Sequence, residues 1–462
     1  MRKILIVGGG YAGFYTAWKL EKRLRRGEAQ VRLVDPRPYM TYQPFLPEVM
    51  AGSIEPRHSV VPLRSHLRRT EVVAGFITSI NHASKKATVL TATSPEFDIS
   101  YDILVVTAGA VTRKFPVAGI AEEAIGLKHI EEAIAVRNRI LTAFDQASNV
   151  SAGLERKRLL TFTFVGGGFA GVEGFGELLS LATALLRYYP KLQFSELQFR
   201  LIEAQSRILP EVSERTAARV VRSLERRGAH VHLNTQVVSI ANGRVMLSSG
   251  EEFDSNLIVW TTGNAPNPIV AKHTDLPVDQ QGFLLVRPDL RIGTTTAPVP
   301  DAWGAGDNAA VTDLSANTPG VRTVPNAQNA VRQGKRLAEN IVATLRDKPT
   351  KNYLHKNLGV VATLGIGQGV FQSGNIVLTG FPAWIIHRGY HVLAVPTWER
   401  KIRVFAVWIT ALIFGRDIAS LGSAEHPRVA FVSGGDPHAS YDNSSLTVQP
   451  SSEPTSAVKK KQ

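Results

Sequence analysis

Residues 4–20, ILIVGGGYAGFYTAWKL, decide how this chain folds. Ile4–Leu5–Ile6–Val7 is a short β-rich apolar run, three glycines follow at once, and residues 14–20 read as the start of a helix. Strand, tight glycine turn and helix are the context in which G-x-G-x-x-G, here Gly8, Gly10 and Gly13, binds a dinucleotide. Each glycine has its own task. Gly8 permits the sharp turn, Gly10 lets backbone approach a pyrophosphate, and Gly13 lets the helix press on the strand. Tyr11 and Ala12 lie between the last two and belong to the same contact. The helix N-terminus offers unbonded N–H groups and a partial positive charge to the phosphates. Asp35 ends the next β-rich run, Val31–Arg32–Leu33–Val34, placed to accept both hydroxyls of an adenosine ribose.

The chain then repeats itself. Phe162–Thr163–Phe164–Val165 leads into Gly166–Gly167–Gly168–Phe169–Ala170–Gly171, the same glycine pattern, and into an expected helix over residues 172–186. The next strand, Phe199–Arg200–Leu201–Ile202, ends in Glu203, a second carboxylate for ribose hydroxyls. An acid there favours NADH, because it repels a 2′-phosphate, while Arg207 leaves some use of NADPH open. Two apolar strands stop in small residues: Ile103–Leu104–Val105–Val106 in Thr107–Ala108–Gly109, and Leu257–Ile258–Val259–Trp260 in Thr261–Thr262–Gly263. Small residues at the carboxyl end of a parallel strand let a ligand reach the backbone, which is where such sheets bind ligands. Two copies imply two dinucleotides facing each other. A further turn, Gly304–Ala305–Gly306–Asp307, offers Asp307 to a cofactor's sugar-like chain.

Composition narrows the chemistry. The chain has 462 residues, enough for two or three domains, and not one cysteine. Disulfides, thiolate metal sites, iron–sulfur clusters and redox-active cysteine pairs are therefore excluded, no metal site is expected, and any electrons must travel on an organic cofactor. A formal net charge of +14 favours an anionic surface, and the absence of a recognition motif argues against nucleic acid. The N-terminus enters a strand without a secretory signal, so a cytosolic start is expected. No apolar run reaches the roughly 20 residues needed to cross a bilayer, so membrane contact is expected to be peripheral.

Three other stretches complete the reading. Residues 36–53, PRPYMTYQPFLPEVMAGS, are expected to form an ordered loop rather than a regular element. A β-meander is expected from Val72 to Leu90, and strands with a glycine turn over residues 358–371. From Ala327 to Leu345 the apolar spacing is helical. Between residues 380 and 416, Trp384, Trp398 and Trp408, many aliphatic side chains, and the cations His387, Arg388, Arg400, Lys401, Arg403 and Arg416 alternate. That mixture predicts amphipathic helices lying at the headgroup boundary of an anionic membrane, against the alternative of a buried or dimer-interface helix pair. Residues from 434 onward are expected to be disordered.

Together these motifs resemble those of flavoproteins with two dinucleotide-binding domains, and among them the membrane-bound type II NADH dehydrogenases, or NADH:quinone oxidoreductases. Residues 8–13 with Asp35 are similar to that family's FAD fingerprint, residues 166–171 with Glu203 to its NADH fingerprint, and residues 304–307 to its second FAD motif. Gln43–Pro44–Phe45–Leu46–Pro47–Glu48–Val49 is similar to its proline-rich stretch near the flavin, and Val172–Glu173 with Gly176–Glu177 to its V-E-x-x-G-E helix. Pro325–Asn326–Ala327–Gln328–Asn329–Ala330 resembles its A-Q-x-A-x-Q quinone-side motif, with Arg332 in place of the last Gln.

The resemblance covers residues 1–420 and implies an α/β fold of two Rossmann-like domains plus a C-terminal membrane-anchoring region. The expected boundaries are 1–112 and 286–350 for FAD, 113–285 for NADH, 351–425 for the membrane-associating part and 426–462 for a tail. It implies tightly bound FAD contacted by Gly8, Gly10, Tyr11, Ala12, Gly13, Asp35, Ala108, Gly109, Asp307, Ala327 and Gln328. NADH would contact Gly166, Gly168, Phe169, Ala170, Gly171, Glu203 and Gly263. Glu173 and Gln328 would be catalytic, with Pro47, Gln328 and Arg332 toward a membrane quinone, menaquinone or ubiquinone. A homodimer lying peripherally on the cytoplasmic face of the cell membrane, and passing electrons without pumping ions, is also implied. The competing readings are a soluble NAD(P)H-dependent flavin reductase serving a ferredoxin-like or small-molecule acceptor, and a non-catalytic flavoprotein signalling nucleotide state. Deleting residues 380–462 is expected to separate the membrane reading from the soluble one.

Overall fold

β1 (Arg2–Val7), α1 (Tyr11–Arg23), β2 (Ala29–Asp35), β3 (Thr70–Ala74) and β4 (Ile103–Val106) open the computed structural model. It describes residues 1–113, 115–316, 318, 320–354 and 359–420. β1 pairs in parallel with β2 on one side and β4 on the other, and β2 with β3. β4 is buried along its whole length, as a strand covered on both faces must be. The second unit repeats this order. β5 (Thr161–Val165) pairs in parallel with β6 (Gln198–Ile202) and β8 (Leu257–Trp260), and β6 with β7 (Ala229–His232). The strand order 4-1-2-3 of the first sheet thus recurs as 8-5-6-7 in the second. β9 (Arg291–Gly293) and β10 (Pro298–Gly304) return to the first sheet, β10 pairing in parallel with β4. That return puts residues 304–307 beside the first glycine turn.

Residues 36–53 are more regular than expected. A short strand, Tyr39–Thr41, pairs with Val60–Pro62, a 3-10 turn spans Gln43–Phe45, and α2 (Leu46–Met50) follows. Pro44 and Pro47 occupy first-turn positions, where the missing N–H costs nothing, so the prolines start these turns rather than prevent them. The expected meander is displaced as well. Val72 and Val73 belong to β3 of the parallel sheet, and the three antiparallel strands are Phe76–Asn81, Lys86–Leu90 and Phe97–Ser100.

Among the helices, α3 (Ile130–Asn149), α4 (Phe169–Leu185), α5 (Glu214–Glu225) and α6 (Ala327–Leu345) precede the C-terminal part. α6 is capped by Asn326, whose side chain accepts the Asn329 N–H at 2.8 Å. α6 packs on α1 at close range because Gly334 has no side chain: a Cβ there would lie 2.4 Å from the Ala12 carbonyl oxygen. Three antiparallel strands, Val360–Thr363, Gly369–Ser373 and Ile376–Thr379, lead to α7 (Phe381–Ala394) and α8 (Trp398–Phe414).

The hydrophobicity of α4 corrects one expectation. Residues Phe169–Tyr188 are long and apolar enough to cross a bilayer. Most of that segment is buried, and it carries two buried carboxylates, Glu173 and Glu177, which mark it as a core helix. Met1–Ile418 make one compact unit, and the expected disordered tail lies outside the described residues.

Candidate functional site

The two glycine turns are built alike down to individual hydrogen bonds. Gly8 and Gly166 both take positive φ, +95° and +115°, a region open to glycine. The middle glycine of each turn gives its N–H to the acid that ends the neighbouring strand: Gly9 to Asp35 at 2.6 Å, Gly167 to Glu203 at 2.5 Å. Each acid also accepts the N–H two residues further on, Arg37 for Asp35 and Gln205 for Glu203. Thr107 and Thr261 hydroxyls each bond back to the carbonyls before and at the first glycine. A Cβ on Gly13 would sit 1.8 Å from the Gly8 oxygen, and one on Gly171 2.0 Å from the Gly166 oxygen. Gly10 and Gly168 differ in kind: a Cβ on either would meet no protein atom within 4 Å.

Both turns open on one cavity of about 1130 Å³. Pockets for a single small molecule are commonly about 300–1,000 Å³. The space facing Gly10 and Gly168 is where backbone must approach a pyrophosphate, and neither helix carries a side-chain cap that would consume its first N–H groups. The residues therefore fit two dinucleotides, one per turn.

The cavity gathers most of the sequence candidates. Gly8, Gly10, Tyr11, Ala12, Asp35, Ala108, Gly109, Asp307, Ala327 and Gln328 line it from the first unit; Gly168, Phe169, Ala170, Gly171, Glu173 and Gly263 from the second; and Pro47 and Arg332 also face it. Gly13, Gly166 and Glu203 do not line it, because the two glycines pack behind the turns and Glu203 sits beneath Gly167. Arg207 is committed elsewhere, donating to the Val212 and Pro210 carbonyls.

Burial pushes the Asp35 carboxyl above the usual carboxylate range, against the Gly9 and Arg37 N–H groups. Burial does the same to Asp307, opposed by Lys128, which also lines the cavity. Gly306 N–H donates to the Gln333 side-chain oxygen at 2.8 Å, so the Gly-Ala-Gly-Asp turn is tied to the second turn of α6. Arg332 bonds the Gln328 amide oxygen at 3.2 Å, holding the two quinone-side candidates together one helical turn apart.

Sequence reasoning missed the third wall. Tyr390, His391 and residues 393–397 from α7 and its exit line the cavity. Behind them lies an ionic cluster that joins α2, α4, α7 and α8. Glu48, fully buried, is reached by Trp408 Nε1 at 2.6 Å and Arg388 at 3.3 Å. The Arg388 guanidinium is held between Trp384 and Trp408, 4.2 and 4.7 Å from the ring centres. Glu177 pairs with Arg416 at 2.8 Å and accepts the Thr363 hydroxyl at 2.7 Å. Glu173 accepts the Thr363 N–H at 3.1 Å and lies 3.2 Å from His387 Nε2.

This cluster revises the reading of residues 380–416. Trp384 and Trp408 are core residues, and Arg388 and Arg416 are buried, so neither group serves as a headgroup anchor. The outward face is apolar instead: Leu393 (73% exposed), Trp398 (78%), Ile402 (66%), Phe405 (57%), Ile413 (68%) and Phe414 (80%) stand in solvent. Contiguous exposed apolar area of this kind marks an interaction surface.

Comparison with known proteins gives the same outline. Residues 2–334 match the pyridine nucleotide-disulphide oxidoreductase family. A probable NADH dehydrogenase of Dictyostelium discoideum is 28% identical over 426 residues, 90% of this chain and 91% of that protein. The type II NADH:quinone oxidoreductase Ndh of Mycobacterium tuberculosis is 28% identical over 430 residues, 90% of this chain and 89% of its own. Among solved structures, NDH2 from Plasmodium falciparum in complex with NADH superposes with a TM-score of 0.82 at 18% identity, covering 90% of this chain and 99% of that one.

Proposed function

Because this chain belongs to the pyridine nucleotide-disulphide oxidoreductase family and contains no cysteine, we propose that its electron acceptor is a quinone rather than a disulfide. It is a FAD-dependent type II NADH:quinone oxidoreductase that works at a membrane surface and moves no ions. Bound FAD supplies the chemistry, taking a hydride from NADH and returning two electrons to quinone.

The residues do the rest. Residues 8–13 with Asp35, Ala108, Gly109, Asp307 and the N-terminal end of α6 at Ala327 and Gln328 hold FAD. Residues 166–171 with Glu203 and Gly263 hold NADH. Residues 1–112 and 286–350 form the first of these units, residues 113–285 the second, and residues 351–425 the membrane-associating part. Facing turns bring the two nucleotides together, and orientation of that kind is a large share of the catalysis. Glu173 positions the nicotinamide end, while Pro47, Gln328 and Arg332 face the quinone. Glu203, with Arg207 turned to backbone carbonyls, supports a preference for NADH.

One observation carries the reading: a single cavity bounded by two glycine turns and, on its third side, by the helix pair whose outer face is apolar. Reductant then arrives from water and oxidant from lipid. Purified protein is expected to be yellow and to oxidise NADH with a short-chain quinone, with higher activity in membranes than in detergent extracts. Colourless protein that takes up no FAD, or flavin bleached by NADH that quinone does not restore, would overturn it.

A further inference from the structure

Three buried side-chain nitrogens without a hydrogen-bond partner among the described residues meet at the start of α8: Arg400 Nε, His58 Nδ1 and His66 Nε2. Arg400 is only 8% exposed. The acid within ion-pair distance of it among the described residues is Glu399, 3.7 Å away, and Arg403 already holds that carboxylate at 2.6 Å. Lys401, the next residue, differs: its ammonium reaches the Val392 and Leu393 carbonyls. His58 lies on the 3-10 turn Pro56–Ser59, which packs against α8, and His66 ends the short helix Leu63–His66. Arg403 and Arg400 act on the His58 ring, and Arg400 and Arg68 on the His66 ring. Two carboxylates stand against them, Glu399 facing both rings and Glu55 facing His58.

The helix start adds to this charge. Thr397, at the N-cap of α8, gives no side-chain bond to the first N–H groups, so the positive end of the helix is unopposed. Helical side chains lean toward the N-terminus, so Arg400, in the first turn, covers that end. Unbonded buried nitrogens cost free energy and call for a reason. Guanidinium, imidazoles and helix-start N–H groups are all donors, and a tetrahedral oxyanion offers them several acceptor oxygens at once. Both rings are part-exposed, so rotation about their own side-chain bonds turns the unbonded nitrogens to a ligand arriving from solvent. The same first two turns of α8 carry exposed Trp398 and Ile402, so these donors border the apolar face.

We propose that Arg400, Arg403, His58, His66 and the first N–H groups of α8 bind the phosphodiester of an anionic phospholipid headgroup, with the acyl chains along Trp398 and Ile402. This rests on the membrane-surface reading of α7 and α8. Exposed Arg57 and Arg68, beside the two histidines, draw the headgroup's charge toward the site. Burial, reinforced by Arg403 and Arg400 and opposed by Glu55 and Glu399, holds His58 below the ordinary histidine range. Burial does the same to His66, with Arg400 and Arg68 adding to it and Glu399 opposing. Both rings therefore rest neutral at pH 7. A bound phosphate favours their protonated form, so binding takes up protons and tightens as pH falls.

The probe is dihexanoyl phosphatidylglycerol below its micellar concentration, titrated by calorimetry into the flavin-loaded full chain. Wild type is expected to bind one molecule per chain. Arg400→Met, and His58→Gln with His66→Gln, should each weaken binding at least about tenfold, the worth of one charge-assisted hydrogen bond. Wild-type affinity should fall as pH rises from 6 to 8, and that dependence should vanish in the double histidine variant. Ferricyanide turnover and flavin content should stay within twofold of wild type in every variant. Without lipid, Arg400→Met should melt no lower than wild type, because the nitrogen it removes is buried and unbonded. Lipid bound equally by all three proteins, or Arg400→Met melting well below wild type, overturns the site. Displacement of the lipid by inorganic phosphate in equal amount makes the ligand free phosphate and overturns the lipid assignment. Co-sedimentation with vesicles of phosphatidylcholine and phosphatidylglycerol separates the two readings. Variants that partition as tightly as wild type overturn the site and leave the membrane reading in place, whereas wild type that stays in the supernatant overturns both.

Discussion

Gly168→Ala isolates the contact between protein and NADH from the stability of the fold. Gly168 has φ −71° and ψ 178°, extended backbone that alanine adopts without strain. The added Cβ would meet no protein atom within 4 Å, so the variant is expected to melt within about 2 °C of wild type. The methyl group would instead project into the cavity at the N-terminus of α4, where a pyrophosphate accepts backbone N–H groups. Losing one hydrogen bond to a charged group is worth about 1.5–3 kcal/mol, or roughly tenfold to 150-fold in affinity. Rapid mixing with NADH, following the bleaching of bound flavin, should show that loss in the dissociation constant with flavin content unchanged. Gly10→Ala is the mirror experiment: its Cβ is equally free of protein, and it should lose flavin rather than weaken NADH. NADH affinity within twofold of wild type in Gly168→Ala would refute the placement of the pyrophosphate. A crossed result, flavin lost from Gly168→Ala and NADH weakened in Gly10→Ala, would refute the assignment of the two turns.

Glu203→Ser should raise kcat/KM for NADPH at least about tenfold, since the carboxylate that repels a 2′-phosphate is gone. NADH efficiency should fall in the same variant, because Glu203 also braces the Gly167 N–H; steady-state kinetics with both nucleotides decide it. Replacing Trp398, Ile402 and Phe405 together by serine should release the protein from vesicles. Wholly buried side chains of this size contribute about 1.5–3 kcal/mol each, so partition measured by co-sedimentation should fall at least 100-fold while ferricyanide activity persists. His391 also makes a pH prediction. Its folded pKa lies below the unfolded value, so below about pH 6.5 the unfolded chain binds a proton that the folded chain does not. Stability is then lost as pH falls, by at most about 1.4 kcal/mol per unit from this residue. Urea unfolding of His391→Gln at pH 7, 6 and 5 should show a shallower loss than wild type.

What the sequence reveals of this protein is set by how local the determinants are. The glycine turns, their acids and the small-residue stops were legible because each is fixed within a few tens of residues by strand, turn and helix chemistry. Even the interior register is repeated, since β1, β2 and β4 and then β5, β6 and β8 bring the same groups together. The return of β9 and β10 to the first sheet was foreshadowed by Gly304–Asp307 but needed pairing with β4 to place it. The ionic cluster was illegible for the opposite reason. Glu48 meets Arg388 and Trp408 across 340 and 360 residues, and no periodicity reports such a meeting. Trp384 and Trp408 therefore looked like interfacial anchors, when one stacks on a buried guanidinium and the other also binds a carboxylate. Membrane affinity has to be argued from the side chains left outside, Leu393, Trp398, Ile402 and Phe405, not from the count of tryptophans and cations.

That cluster changes which experiment can separate a membrane enzyme from a soluble one. Removing residues 380–462 looks like the removal of an anchor, but it also strips Arg388 and Trp408 from Glu48 and Arg416 from Glu177. Both carboxylates are fully buried. Breaking a buried pair by deleting one partner costs about 3–5 kcal/mol, and two such pairs reach a large part of the roughly 5–15 kcal/mol that holds a domain folded. The shortened chain is therefore expected to lose cooperative melting and its flavin, whatever the helices do at a membrane, and its failure to partition would say nothing about lipid. Adding Glu48→Met and Glu177→Met to the same truncation should recover part of the melting transition, because the stranded carboxylates are then gone. A shortened chain that keeps its flavin and melts within a few degrees of the full chain would show that the pairs are dispensable, and that α7 and α8 are an appendage after all.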